Sequence, residues 1–435
     1  MRPNLYFLLA LCPLSLTGGA VAQERVMTLS EMFATAEENN LTIEAAQSSI
    51  SEAEAGISYA KSDRLPDIDF SISLSVIGNA WISDRDFSNG MNAETPHFGN
   101  TYSVAITQML YAGGAIKNGI EMAELRRDIA TIGLDATRQA MRLVIAGYYM
   151  DLCKLQNQKT ILEKNMVQTR KLVEDIEANY AAGTALKSDI TRYELQLQSL
   201  ELSLTQVRTA MDITSRNLTV ALGMPTGTAI APDTTIVGTA IEIGSEDDWQ
   251  KLVEARPQVA IAKKQYEMVQ KSESISKAGM RPTVALRVED KLDGPITYEV
   301  PVLDKNVNFW YAGVNISYNL GSLYKTRRKV TESQRATATS QVRLADEVSY
   351  SQAAIHAAYQ KYQEALTDKA THEKSVQLAH ENYDVIHYRY LNGMALITDM
   401  LDASNQQLNS ELQLANSEID IIYCHMILKA TVGQL

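Results

Sequence analysis

YAAGTALKSDI, residues 180–190, returns 210 positions later as YLNGMALITDM, residues 390–400. The shared letters are Tyr180/Tyr390, Gly183/Gly393, Ala185/Ala395, Leu186/Leu396 and Asp189/Asp399. The same frame continues through Gln196/Gln406, Glu201/Glu411, Leu202/Leu412, Leu204/Leu414, Leu218/Leu428 and Gly223/Gly433. Identity at that many positions in one frame marks an internal duplication. It carries Val104, Ile106 and Leu110 onto Val314, Ile316 and Leu320, while a frame of 216 pairs Ala46 with Ala262 and Pro66 with Pro282. The copies therefore differ mainly by a longer loop in the first, and each reads helix, strand, loop, strand, very long helix, turn, long helix.

The opening MRPNLYFLLALCPLSLTGGAVAQE has a basic residue, Arg2, an apolar run from Leu5 to Leu16, and small residues ending in Ala20-Val21-Ala22. That is the pattern of a secretory leader, residues 1–22, cut after Ala22. Cys12 follows Leu11, where a lipoprotein signal needs a small residue, so the plain leader is preferred. The mature chain then divides into a first repeat, 23–230, and a second, 231–435. Cys153 and Cys424 are too few for a disulfide framework and read as helix-packing residues. A net charge of −12 with 21% charged residues provides no basic stripe, so no nucleic-acid partner is expected. After the leader no apolar run reaches the length of a transmembrane helix. An exported chain of this kind is secreted, periplasmic, or held in an outer membrane by strands.

The strands carry that last signal. In PDIDFSISLSV, Ile68, Phe70, Ile72, Leu74 and Val76 alternate with Asp69, Ser71, Ser73 and Ser75. Such a strand has an apolar and a polar face, as a membrane barrel requires, although an ordinary amphipathic sheet has the same period. Tyr102, Val104 and Ile106 alternate in the same way, as do Val284, Leu286 and Val288, and then Trp310, Ala312, Val314, Ile316, Tyr318 and Leu320. Trp81, Phe98, Tyr102, Trp310 and Tyr311 are expected near strand ends, as an aromatic girdle. Four strands cannot close a barrel, and lipid does not tolerate an open edge, so the chain must oligomerise. The strand count alone allows two, three or four copies.

From Ile116 to about Asn179 no proline interrupts the helical pattern; at 1.5 Å per residue this is a rod of roughly 100 Å. The helix after Gly183 carries Leu186, Ile190, Tyr193, Leu197, Leu200, Leu204, Val207 and Met211 in 4-3 spacing, a heptad seam, with a second seam at Leu195 and Leu202. Its repeat has one seam through Leu401, Leu408, Leu412, Ala415, Ile419, Ile422 and Met426, and another through Leu396, Met400, Ala403, Leu414, Ile421 and Leu428. The two lie roughly 150 degrees apart on a 3.5-residue period. Between them run two polar stripes, Ser404-Glu411-Glu418-His425 and Asp399-Asp402-Gln406-Asn409-Gln413-Asn416-Asp420. Two apolar seams and two wet faces describe a stave in a hollow helical barrel better than a member of a solid bundle.

These features resemble the TolC family of bacterial outer-membrane efflux proteins over nearly the whole mature chain. MTLSEMFATAEENNLTIEAAQ is similar to the family's opening helix; ITQMLYAGGAIKNG is similar to its strand-to-helix passage. NYAAGTALKSDITR, RPQVAIA and YRYLNGMALITDMLDA resemble the signatures of its two repeats. The resemblance implies a mainly helical homotrimer: a twelve-stranded β-barrel in outer-membrane lipid, a twelve-helix α-barrel through the periplasm, and a mixed α/β equatorial belt. It implies the exit duct of a tripartite efflux pump or type I secretion system, docked on a periplasmic adaptor and an inner-membrane transporter. The docking tips would be Gly183, Thr184, Ala185 and Leu186 with Gly393, Met394, Ala395 and Leu396. Asp399 and Asp402 match the family's charge ring at the periplasmic entrance. Tyr390 and Asp189 match its gate contacts, but the position of the gate arginine is Ala395. Arg192 is a candidate substitute.

Other chemistries fit less well. Carboxylates at i and i+3, as in Asp399 and Asp402, can stand a glycosidase-like distance apart, yet no sugar cleft or flanking aromatics accompany them. No His/Cys cluster, G-x-S-x-G or phosphate loop occurs, so neither catalysis nor a cofactor is expected. His380, Asp384 and His387 share a helix face and read as solvated rather than as metal ligands. Gly113-Gly114 reads as a bend between strand and helix. A secreted coiled-coil or adhesion protein would account for the heptads but not for four alternating strands.

Overall fold

The computed structural model describes residues 25–435 except 226, 229, 234–242 and 300–301. The expected leader, with Cys12, lies outside the described residues. The elements follow the order β1 (Arg25–Met27), α1 (Leu29–Asn39), α2 (Leu41–Ser62), β2 (Asp67–Val76), β3 (Ala80–Ile82), β4 (Met91–Ala93), β5 (Phe98–Ala112), α3 (Ala115–Ala181) and α4 (Lys187–Ala221). Then come β6 (Ile230–Pro232), α5 (Glu246–Gln250), α6 (Pro257–Ala278), β7 (Thr283–Gly294), β8 (Val307–Ser317), α7 (Lys325–Leu391) and α8 (Ile397–Thr431). Helices α3 and α7 each have 67 residues, and α4 and α8 each have 35.

The residues group into two compact units. One holds residues up to 43, 138–246 and 355–435. Its main core joins Met27, Met32, Ile145, Tyr149, Leu152, Leu218, Leu222, Ile419 and Ile422, so β1, α1, α3, α4 and α8 share one apolar centre. The Tyr149 hydroxyl donates to the Asp233 carbonyl oxygen. Buried Asn40 ends α1 and starts α2: its Oδ1 accepts the N–H groups of Thr42 and Ile43 at 2.8 and 3.1 Å, and its amide donates to Ala221 O at 2.7 Å. One side chain thus satisfies donors that the new helix leaves open. The small parallel pair β1–β6, which the sequence pattern did not suggest, closes this core. Cys153 is buried within it, and burial pushes its thiol up to about 12, away from reactive thiolate chemistry.

The other unit holds 44–137 and 247–354 and contains an antiparallel sheet in the order β2-β5-β7-β8. These are the four strands expected from alternation; a short hairpin, β3–β4, is added. Ile68, Ile106 and Val288 lie in register on one face, with Phe70, Val104 and Trp310 beside them. The opposite face carries Ser71, Ser103 and Lys291. Gly113, at φ +65, turns β5 into α3 so closely that a Cβ there would stand 2.6 Å from Ala278 O. That confirms the expected bend. Helix α6 is tied to α3 by Lys271–Glu121 at 2.6 Å and Lys264–Asp128 at 3.2 Å, and to α7 by Thr337–Glu273 at 2.6 Å.

Two details depart from expectation. Strand β8 stops at Ser317, so Tyr318 and Leu320 are not part of it. Tyr311 belongs to the polar face, where its hydroxyl donates to Glu289 at 2.7 Å, and so leaves the proposed girdle.

Candidate membrane face and channel entrance

Among the described residues none covers the sheet's apolar face. Every residue of β2 is exposed, including Phe70 at 67% and Val76 at 90%, and Trp310 and Ile316 on β8 are 72% and 69% exposed. Leaving the five apolar side chains of β2 in water would forgo about 10 kcal/mol of transfer free energy. The polar face is internally paired. Arg287 meets Glu289 at 2.8 Å, Lys291 meets Asp293 at 3.2 Å, Thr101 donates to Asp293 at 2.6 Å, and Ser71 and Ser103 share a 2.8 Å bond. Both edges, β2 and β8, keep unpaired backbone groups, and because the strands alternate in direction, β8 of one copy can receive β2 of another antiparallel.

In the first unit, the duplicated sequence at 180–190 and 390–400 makes the same turn twice. Gly183 and Gly393 adopt φ +78 and +67. Around them Thr184 N–H donates to Asn179 O at 2.9 Å, and Met394 N–H to Arg389 O at 2.7 Å, five residues back in each case. This is a glycine-ended helix cap. Two residues on, Leu186 and Leu396 start α4 and α8 in extended conformation. The leucine side chains accept nothing. Instead Asp189 Oδ2 accepts Leu186 N–H at 3.2 Å, and Asp399 Oδ2 accepts Leu396 N–H at 3.1 Å. Each repeated aspartate therefore caps its own helix, where the helix dipole also favours negative charge.

A small apolar core joins the two turns: Ile176, Tyr193, Ile397 and Met400, flanked by Ile190, Tyr383 and Tyr390. Tyr390 is half-buried, and its phenol titrates above the usual range, first because of burial and then because the charge of Asp189 acts on it. The sequence-predicted pair is thus brought together, with no hydrogen bond between the two among the described residues. Arg192 is exposed and makes no ion pair among them. Asp402 is exposed one turn inside α8. Leu186, Leu396 and Met394 are 68%, 69% and 62% exposed, and they leave an apolar rim around the turns.

One expectation is corrected. The stripe Ser404-Glu411-Glu418-His425 is not a wet face: it lies against α7. Glu411 accepts from His380 Nε2 at 3.0 Å, Lys369 meets Glu418 at 3.5 Å, and His425 sits edge-on to Tyr362. His387 stacks on Tyr383, so it and His380 turn to different partners. On the other stripe Asp420 pairs with Lys154 of α3 at 2.5 Å. Tyr193, expected in the heptad seam of α4, is buried in the tip core, whereas no sequence pattern pointed to Tyr383 beside it.

The architecture has close counterparts among solved structures. The outer-membrane channel OprN matches with a TM-score of 0.77 at 15% identity, over 94% of this chain and 90% of that one. The outer membrane protein VceC from Vibrio cholerae matches with a TM-score of 0.75 at 18% identity, over 93% and 96%. The fold is that of these outer-membrane channels. Residues 33–224 also match the family described as outer membrane efflux protein. Over 192 residues the chain is 24% identical to nodulation protein T of Rhizobium leguminosarum bv. trifolii, which covers 44% of this chain and 39% of that protein. The match thus spans about two-fifths of the relative's length. The family match and the shared fold meet on a chain whose four-stranded sheet leaves its apolar side chains exposed.

Proposed function

We propose that the chain assembles as a homotrimer into a passive exit duct of a tripartite efflux or type I secretion system. The observation that carries this reading is the sheet of β2, β5, β7 and β8: apolar and uncovered on one face, polar on the other, and open at two edges of opposite direction. Closure by copies removes the edges, puts the apolar face in lipid and turns the paired polar face inward. The halves 23–230 and 231–435 then supply duplicated staves to one helical wall.

The exposed turns at Gly183, Thr184, Ala185 and Leu186 and at Gly393, Met394, Ala395 and Leu396 would receive the periplasmic adaptor, which links the duct to an inner-membrane transporter. Asp402, without a partner among the described residues, would supply the entrance charge, and Asp399 would add to it while capping α8. Repetition around a narrow wet throat would focus the field and concentrate cations. Tyr390 and Asp189 would serve as gate contacts, with exposed Arg192 as the candidate substitute for the arginine missing at Ala395. The conduit needs no cofactor and performs no catalysis.

Membrane fractionation and planar bilayers test this. The expected result is a heat-modifiable trimer in the outer membrane that conducts ions with cation preference. A soluble monomer without conductance would remove the reading.

A further inference from the structure

Helix α4 has a different groove on each of two opposite faces. The first lies between α3 and α4 and is lined with charge: Arg170 pairs with Glu201, and Arg208 with Glu163, each at 3.2 Å. The second is bounded by α3, α4 and α8, has a volume of about 600 Å³, and contains no charged residue. Its floor is the leucine seam around Leu162, Leu200 and Leu408. Its walls are the amides and hydroxyls of Gln158, Gln196, Ser203, Gln206, Asn405 and Asn409. Gln196 Nε2 donates to Asn405 Oδ1 at 2.8 Å and closes the wall at one point. Ser203 donates to Ser199 O of its own helix at 2.9 Å. The amides of Gln158, Gln206 and Asn409 have no protein partner among the described residues, and those of Gln206 and Asn409 are exposed to water at the groove's rim.

We propose that this second groove binds uncharged amphiphilic organic molecules and that these are a substrate class of the duct. The substrate role rests on the duct reading; the binding does not. The volume falls within the range of small-molecule sites, and such sites combine an apolar floor with a few orienting polar groups. The leucines take an apolar body, and the three free amides take hydroxyl, ether or amide groups. A metal ion finds no carboxylate, thiolate or imidazole there. A charged headgroup would lose its hydration without meeting a countercharge, which disfavours ionic amphiphiles. The charged groove on the opposite face has the reverse character, so neutrality is local to this groove and is not a property of the helix as a whole.

The test uses the whole chain in lipid nanodiscs, titrated with the neutral fluorophore N-phenyl-1-naphthylamine against empty nanodiscs. Saturable binding above the lipid background is expected. Gln206→Glu and Asn409→Asp keep side-chain size and add charge, and each should weaken binding about tenfold while improving competition by dodecyltrimethylammonium. No saturable excess over empty nanodiscs, or variants that bind as wild type does, would overturn the site. So would a fluorophore on Ser203→Cys that a water-soluble quencher cannot reach, because a second copy would then be seated in the groove. Planar-bilayer conductance is read on the same preparation. Conductance without saturable binding removes the site and leaves the duct; saturable binding without conductance removes the duct and, with it, the substrate role.

Discussion

The two helical turns are built from one plan and finished differently. Both use a glycine with positive φ, a backbone bond reaching five residues back, and an aspartate three residues into the next helix that closes on its first N–H. They differ in what surrounds that frame. Tyr180 is 47% exposed, whereas its counterpart Tyr390 is half-buried against the shared core. Thr184 adds a hydroxyl bond to Asn179 O at 3.0 Å that Met394 cannot make. Arg192 stands where the second turn has Asp402. Duplication has preserved what folds the turn and varied what the turn shows to its surroundings.

The sharpest contrast is in the core. Met400 is fully buried, while its counterpart Ile190 is only partly covered. Met400→Ala should therefore destabilise the tips by about 3 kcal/mol, as a cavity-forming truncation does, and Ile190→Ala by about half as much. Limited proteolysis at the turns together with thermal circular dichroism measures both. Equal losses would show that the two turns bear on the core alike.

The glycines should behave identically. Gly183→Ala and Gly393→Ala each force a side chain into left-handed backbone, at a cost of about 1 to 2 kcal/mol. No neighbour lies within 4 Å of a Cβ placed at either position, so the cost is conformational and not steric. If one substitution is silent, the frame is not shared.

How much of this was legible in the sequence follows from how each feature writes itself there. The four long strands have a period of two, and each runs for ten residues or more, so both faces could be read. The pairs β1–β6 and β3–β4 have three residues per strand, too few to show a period. The stripe through Glu411 and Glu418 looked wet because charge on a helix face usually meets solvent. Its partners, His380 and Lys369, lie on a different helix, and no spacing rule within α8 points to them. The aspartates were ambiguous for another reason. The third residue of a helix is where a capping carboxylate belongs, and a charge ring at a helical tip falls on the same position.

Substitution can separate those two roles. Asp189→Asn and Asp399→Asn should each cost about 0.5 to 1 kcal/mol of local helix stability, read as faster amide exchange in the first turn of α4 or α8. Asp402→Asn should leave exchange unchanged and reduce cation preference in planar bilayers. A loss of exchange protection in Asp402→Asn, or unchanged selectivity, would return Asp402 to the status of an ordinary solvated residue.

The smallest effect concerns a place where the two turns touch electrostatically. Tyr390 belongs to the second turn and Asp189 to the first, and the phenol is held above its usual range mainly by burial and secondarily by that carboxylate. Because the folded state resists ionisation, it binds more protons than the unfolded chain once the pH passes the ordinary tyrosine value of about 10. Stability from this source is therefore full below that pH and falls as the pH rises through it. Asp189→Asn removes the lesser cause, so the phenolate absorbance of Tyr390, isolated by difference from Tyr390→Phe, should move to lower pH but remain above the free-tyrosine range. Asp399→Asn should not move it, since Asp399 caps α8 without acting on this phenol. If the two substitutions shift the titration equally, the charge felt by Tyr390 is a field from the whole tip, and the pairing of the first turn with the second is not specific.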